Sequence, residues 1–207
     1  MHDFDVYDKD SQEFKDVWSW AEWIGIADVL KNCNVWIAGG CLMSYFSGQT
    51  LTSDIDIFSY NQDNIDIACR YFEETYSQKP TSEFETIVNY WKEGKKFQFV
   101  KRYFKNPIDC IDQFDFTVCC VALNKDRLII HKRFFMDLAR RRLVLHKLFF
   151  PLSTMQRIQK YVKKGFWICN GGLLDIANAI QNVNFQDPNQ NVLEFYPNGD
   201  ARFVRMD

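Results

Sequence analysis

The sequence predicts an α+β fold: a mixed β-sheet with flanking helices, followed by a helical C-terminal tail. Three observations predict it. Short apolar runs bounded by turn residues recur through the first two-thirds of the chain. Segments with apolar residues every three or four positions lie between them, and beyond Phe134 the helical spacing stands alone. With 207 residues, 47% of them hydrophobic and 16% aromatic, the chain is long enough to bury a core. The change of pattern places a core at 1–133 and a helical appendage packed on it at 134–207.

From Ser11 to about Cys33, Phe14, Val17, Trp18, Ala21, Ile24, Ala27 and Leu30 mark one helical face, with Ser11 as the N-cap and Gly25 as a break or bend. Val35-Trp36-Ile37-Ala38 reads as a short strand ending at Gly39-Gly40, after which Cys41 to Phe46 opens a helix. Ile55, Ile57 and Phe58 alternate with acids in a second strand over about 54–59, and 61–76 is helical. Strands at 84–91 and 96–104 flank Glu93-Gly94 as a hairpin. Pro107 starts a short helix reaching Gln113, since proline fits a first turn. Phe114 to Leu123 is predicted as the strongest strand, turning at Asn124-Lys125-Asp126 into Arg127-Leu128-Ile129-Ile130. Helices follow near 135–141, 153–164 and 172–182, the second capped by Ser153 or Thr154 and stopped by Gly165. The turn-rich last residues, including Asp187-Pro188-Asn189 and Pro197-Asn198-Gly199-Asp200, read as a small hairpin.

Composition narrows the function classes. The first residues, Met1-His2-Asp3-Phe4-Asp5, carry acids where a secretory signal needs a basic start and an apolar run, so the chain reads as leaderless. No run approaches the roughly 18 to 20 apolar residues of a membrane-spanning helix. Seven cysteines without a Cys-x-x-Cys pair read as reduced, mostly buried thiols of a cytoplasmic protein. Adjacent Cys119 and Cys120 are predicted to point to opposite sides. The net charge of −2 hides a strong division: residues 1–91 hold 5 Lys/Arg against 16 Asp/Glu, and residues 92–164 hold 18 against 6. The basic middle segment suits an anionic partner such as a triphosphate or a nucleic-acid backbone; the alternative is that the acidic and basic parts face each other.

Within this order Ser53-Asp54-Ile55-Asp56-Ile57 carries the chemistry. Side chains two apart on a strand share a face, so Asp54 and Asp56 project together while Ile55 and Ile57 enter the core. Two ionised carboxylates on one face repel, and a divalent cation with hard oxygen ligands, such as Mg²⁺, relieves them. Gly39 and Gly40 let backbone N–H groups approach phosphate oxygens at a helix start, and with Ser53 they are the candidate nucleotide-binding residues. A second metal needs a third carboxylate, for which Asp115 at the head of the predicted strong strand is the candidate.

Gly39-Gly40, thirteen intervening residues, Asp54-Ile55-Asp56-Ile57 and a later Asp115 resemble the DNA polymerase β-like nucleotidyltransferase superfamily over about residues 34–123. The resemblance implies a mixed-sheet nucleotidyltransferase core, two Mg²⁺ ions, and transfer of a nucleoside monophosphate from an NTP to an acceptor hydroxyl with release of pyrophosphate. It implies that Asp54 and Asp56 bind both metals, and that Asp115 binds the catalytic one and helps activate the acceptor. The glycine spacing is most similar to the head domain of CCA-adding enzymes and bacterial poly(A) polymerases. Their Arg-Asp pair after the glycines is replaced here by Met43-Ser44, and Arg140-Arg141-Arg142 runs into Leu143 where an Arg-Arg-Asp motif would end in acid. Arg157-Ile158-Gln159-Lys160-Tyr161 with Lys164-Gly165-Phe166 looks similar to small stand-alone members from phages and large viruses, so a host cytoplasm or a virion is the implied location. The acceptor remains a nucleic-acid end, a tRNA, a protein or a small molecule. The departures leave a second expectation, a catalytically inactive member acting as a viral structural or partner-binding module.

Lys95, Lys96, Lys101, Arg102 and Lys105 interleave with Phe97, Phe99, Tyr103 and Phe104, which reads first as an amphipathic hairpin with lysines in water and second as a nucleic-acid surface. Arg140-Arg141-Arg142 reads as a solvated helix face. No histidine has zinc-ligand spacing.

Overall fold

An eight-stranded mixed sheet organises the computed structural model, which describes residues 3–51 and 53–182. In chain order the elements are β1 (Phe4–Asp8), α1 (Gln12–Trp23), α2 (Ala27–Asn32), β2 (Val35–Ala38), α3 (Gly40–Phe46), β3 (Ile55–Ser59) and α4 (Gln62–Tyr76). They continue with β4 (Ser82–Glu83), β5 (Ile87–Lys92), β6 (Lys95–Tyr103), α5 (Pro107–Ile111), a 3₁₀ turn (Thr117–Cys119), β7 (Val121–Leu123) and β8 (Arg127–His131). The last described elements are α6 (Phe134–Ala139), β9 (Arg142–Leu143), α7 (Pro151–Val162), β10 (Trp167–Ile168) and α8 (Asn170–Gln181). The α+β class is as the sequence predicts. The turn-rich C-terminal segment lies outside the described residues.

The strand order is β1-β8-β7-β2-β3-β6-β5-β4. Neighbours are antiparallel except β3 and β6, which run parallel with Asp56 beside Gln98. Alternation along the strands separates two apolar clusters. Ile37, Ile55, Ile57, Phe97 and Phe99 join Phe14, Leu30, Leu42 and Phe72 from the helices on one face. Trp36, Ala38, Phe58, Phe104, Cys110 and Ile111 pack on the other. Phe72 meets Tyr90, Phe97 and Phe99 with ring centroids 5.0, 5.1 and 5.5 Å away, a tilted to edge-on cluster of the kind aromatic quadrupoles favour. The larger cluster also takes in Phe134, Leu138, Leu143, Ile158, Tyr161, Phe166 and Ile176, so described residues beyond 133 share one apolar interior with those before it.

Several sequence expectations need correction. Phe114–Leu123 is not one strand: Phe116 makes an isolated bridge to Leu145, 117–119 form the 3₁₀ turn, and only 121–123 pair with β2 and β8. The run is apolar because it crosses between the two clusters. Cys119 enters one and Cys120 the other, so they do point to opposite sides. The second tail helix starts at Pro151; Ser153 and Thr154 lie buried inside it, with Thr154 Oγ1 donating to the Phe150 carbonyl at 3.0 Å. The three arginines do not form a helix face. α6 stops at Ala139, Arg141 takes φ +49°, and its Nη1 donates to the Lys164 carbonyl at 3.2 Å. β1 was not foreseen.

Ser11 caps α1, accepting from Phe14 N at 3.3 Å, and Asn106 caps α5, accepting from Asp109 N at 2.9 Å. All seven cysteines are free thiols, five of them buried. No described helix is long and apolar enough to cross a membrane.

The 3₁₀ turn is anchored from α6. Asp137 is fully buried, accepts from Thr117 Oγ1 at 2.8 Å and pairs with Arg133 at 3.3 Å. Asp137→Ala strands that hydroxyl and removes the carboxylate. The expected cost is about 3 kcal/mol, read as a lower midpoint in urea denaturation.

Candidate active site

The site begins at the turn between β2 and α3. Gly39 adopts φ +82° and ψ −131°, a conformation that side chains with a Cβ rarely take, and a Cβ there would stand 3.2 Å from Phe114. Gly40 lies close under Ser53, whose Oγ would be 3.0 Å from an added Cβ. The two glycines therefore bring bare backbone against Ser53 and the ring of Phe114.

Asp54 precedes β3 and Asp56 lies on it, both lining the same cleft, while Ile55 and Ile57 are fully buried on the helix-covered face. The cleft measures about 570 Å³ and also contains Gly39, Gly40 and Ser53. Burial and then the neighbouring Asp54 carboxylate push the Asp56 carboxyl up to about 7. Lys160, Lys96 and Arg157 pull the other way. Such a pair is held ionised only by positive charge brought close.

Two residues of the next strand already meet this pair. Lys96 Nζ lies 3.2 Å from Asp54 Oδ2. The Gln98 amide, oriented to satisfy its neighbours, donates to Asp56 Oδ1 at 2.9 Å and Asp54 Oδ2 at 3.0 Å, while its oxygen accepts from Lys96 Nζ at 2.8 Å. Lys96 is thus not one of the solvated lysines of an amphipathic hairpin, although Phe97 and Phe99 are core as predicted. Lys96 and Gln98 share a strand face, two residues apart, and that alternation was the available signal.

Asp115 lines the cleft but sits in a bend before the bridge at Phe116 rather than on a strand. It is 5% exposed, and Arg157 Nη1 of α7 donates to its Oδ2 at 2.5 Å. Among the described residues, no three His, Cys, Asp or Glu side chains are gathered into a metal-binding group. The structure brings Asp54 and Asp56 together and holds Asp115 on an arginine.

Helix α7 forms a further wall of the cleft. Arg157, Lys160 and Tyr161 of α7 line it, and Lys164 Nζ just beyond the helix donates to Ser53 Oγ at 2.6 Å. Burial and the Lys160 ammonium push the Lys164 amine below its usual value. At the other end the Arg102 guanidinium lies 5.3 Å from the Phe104 ring centroid and 5.7 Å from that of Phe150, and donates to Gln113 Oε1 at 2.6 Å. The arrangement can accept a polyanion between the glycine turn and α7, with an apolar and guanidinium-lined chamber beyond.

Comparison with known proteins gives two results. A family model described as Gad2, Gabija anti-defense 2 family protein, matches residues 11–141, more than half of the chain. Among solved structures, a CCA-adding enzyme with CTP matches with a TM-score of 0.60 at 14% identity, covering 87% of this chain and 47% of that one. The Bacillus stearothermophilus CCA-adding enzyme in complex with CTP matches at 0.55 and 14% identity, over 84% of this chain and 46% of that one. A tRNA nucleotidyltransferase complexed with a primer tRNA and an incoming ATP analog matches at 0.55 and 15% identity, over 80% and 50%. At these identities the likeness shows a nucleotidyltransferase-like fold, and the chain spans about half the length of these enzymes. No curated protein sequence matches.

Proposed function

The chain belongs to the Gad2 (Gabija anti-defense 2) family, and on that premise we propose that it is a magnesium-dependent nucleotidyltransferase whose transfer of a nucleoside monophosphate acts against a defence component. The observation that carries the reading is a single cleft holding Gly39, Gly40, Ser53, Asp54, Asp56 and Asp115 against the cationic side of α7. The solved enzymes of like fold, complexed with CTP, an ATP analog or primer tRNA, support a nucleotide and a nucleic-acid acceptor as the first candidates to test.

Asp54 and Asp56 fit a hard dication, because burial and mutual repulsion leave Asp56 in need of a positive neighbour. Bound there, magnesium would supply charge neutralisation between the carboxylates and the triphosphate oxygens. The chain's own groups do the rest. The Gly39-Gly40 backbone approaches the phosphates, and Ser53 with Lys164 offers a hydroxyl and an ammonium to them. Lys160 adds positive charge near Asp56. The acceptor hydroxyl oxygen attacks the α-phosphorus, the bond to the bridging oxygen breaks, and pyrophosphate leaves with its electron pair. Asp115 receives the acceptor's proton after its Arg157 partner turns to substrate phosphate.

Incubation with each α-labelled NTP, Mg²⁺ and candidate nucleic-acid or protein acceptors tests this. Label transfer with pyrophosphate release is expected; absence of both transfer and metal-dependent nucleotide binding overturns it. Lys164→Ala is expected to weaken NTP binding about tenfold, ~1.4 kcal/mol, in a calorimetric titration, with folding intact.

A second reading, an inactive partner-binding module, is favoured by one observation: Asp54 and Asp115 already have cationic partners in Lys96 and Arg157. Anti-defense activity that survives Asp54→Asn would support it.

A further inference from the structure

The neighbour of the carboxylate pair on the adjoining strand is an amide. β3 and β6 run parallel with Asp56 directly beside Gln98. Their side chains emerge on one face at the spacing of neighbouring strands, and the Gln98 amide reaches both acids, at 2.9 and 3.0 Å. A group at this position stands where a third ligand to an ion held by Asp54 and Asp56 would stand. The chain places a neutral side chain there and backs it with Lys96, whose ammonium contacts both the Gln98 oxygen and Asp54.

Asp115 does not fill the role. It lies in the bend before the 3₁₀ turn, held by Arg157 at 2.5 Å, and no three-residue metal group is assembled among the described residues.

We infer that Gln98 occupies the third-ligand position of the carboxylate pair, so that the cleft takes one divalent cation, carried in with the triphosphate, and excludes a second. The inference rests on the proposed nucleotide site and narrows its metal chemistry. The charge balance explains the exclusion. Even with the triphosphate's negative oxygens in the cleft, two dications about 3.5–4 Å apart need protein carboxylates on both sides, and beside Asp54 and Asp56 the chain offers the neutral Gln98 amide and the Lys96 ammonium instead. A single dication matches the pair, and its remaining ligands come from phosphate oxygens and water, as Mg²⁺ prefers. Lys96 supplies fixed positive charge on the side where the second ion would lie.

The test counts ions. Mn²⁺ is titrated calorimetrically and by electron paramagnetic resonance into the full chain with a saturating non-hydrolysable NTP analogue. Wild type is expected to hold one strongly bound ion per chain, with no Mn–Mn coupling. Asp115→Asn is expected to leave that number at one. The double variant Gln98→Glu/Lys96→Gln is expected to take up a second ion and to show the coupling, with Gln98→Glu alone as a second variant and circular dichroism as the folding check. Two ions in wild type, falling to one in Asp115→Asn, overturns the inference and leaves the proposed nucleotide site standing. A folded double variant that still holds one ion removes Gln98 from its assigned place. If wild type holds no ion, both the inference and the proposed function fail together.

Discussion

Asp56→Asn is expected to lower nucleotidyl transfer by roughly a thousandfold or more, ~4 kcal/mol of transition-state stabilisation, while raising the thermal midpoint of the metal-free protein at neutral pH. The two effects have one origin. Burial and Asp54 push the Asp56 carboxyl up to about 7. The ionised form therefore burdens the fold until a cation compensates it, and a neutral amide of nearly the same shape removes the burden together with the site for the cation. Transfer is measured with labelled NTP, and stability by calorimetry on the same preparations. Loss of activity through unfolding would lower the midpoint, so the two explanations separate in one experiment.

The sign of the pH dependence follows. Asp56 has a folded value of about 7 against an ordinary 3.8, so the folded state binds its proton more tightly than the unfolded chain does. Its contribution to stability is fully present below about pH 4 and is lost as pH rises through 7. The midpoint difference between wild type and Asp56→Asn should therefore widen from pH 5 to pH 8 without magnesium. Saturating Mg²⁺ should narrow it, because a ligand of the folded state stabilises by mass action. A difference that stays constant over this range would detach the stability effect from Asp56 ionisation.

How much of this was legible in the sequence depends on whether the signal is local. The glycine turn and the Asp54-Ile55-Asp56 alternation were legible because backbone permissiveness and a two-residue period are properties of adjacent positions. α1 was legible from apolar periodicity and its Ser11 cap, and α4 from periodicity alone. β1 was not: Phe4–Asp8 is an edge strand, exposed or half-buried along its length, and its pairing with β8 is dictated by a partner more than a hundred residues away. The run 114–123 misled because a continuously apolar stretch is equally what a crossover between two clusters requires. The site's cationic half was the largest omission. Arg157, Lys160 and Lys164 stood in a tail motif, and Lys96 in a hairpin, with nothing local to say that they gather around one cleft, Arg157 on Asp115, Lys164 on Ser53 and Lys96 on Asp54. Gln98 carried no charge to attract notice. Its place beside Asp56 follows from the parallel pairing of β3 with β6, across α4 and a hairpin, which periodicity does not encode.

Arg157→Met is the second large effect expected. It removes the guanidinium from a carboxylate that is 5% exposed, leaving the buried Asp115 charge without its partner in a cleft whose lining includes Phe114, Phe116 and Phe150. Breaking one side of such a pair costs about 3 kcal/mol, because the surviving charge keeps its desolvation penalty and loses its compensation. Adding Asp115→Asn should restore most of the loss, since removing both charges is far milder than removing one. A double-mutant cycle in urea should then give a coupling of about 2 kcal/mol. The functional readout differs from the structural one. If Arg157 only braces the fold, the stabilised double variant and Asp115→Asn alone should bind NTP alike. If Arg157 also turns to substrate phosphate during transfer, the double variant should bind NTP several-fold more weakly than Asp115→Asn alone, measured at a temperature where both are folded. The second outcome is expected, because α7 presents Arg157, Lys160 and Tyr161 to the same cleft as Asp54 and Asp56. A helix supplying four residues to the cleft wall, Ser153 among them, acts as part of the site, and equal binding by the two variants would reduce Arg157 to a brace.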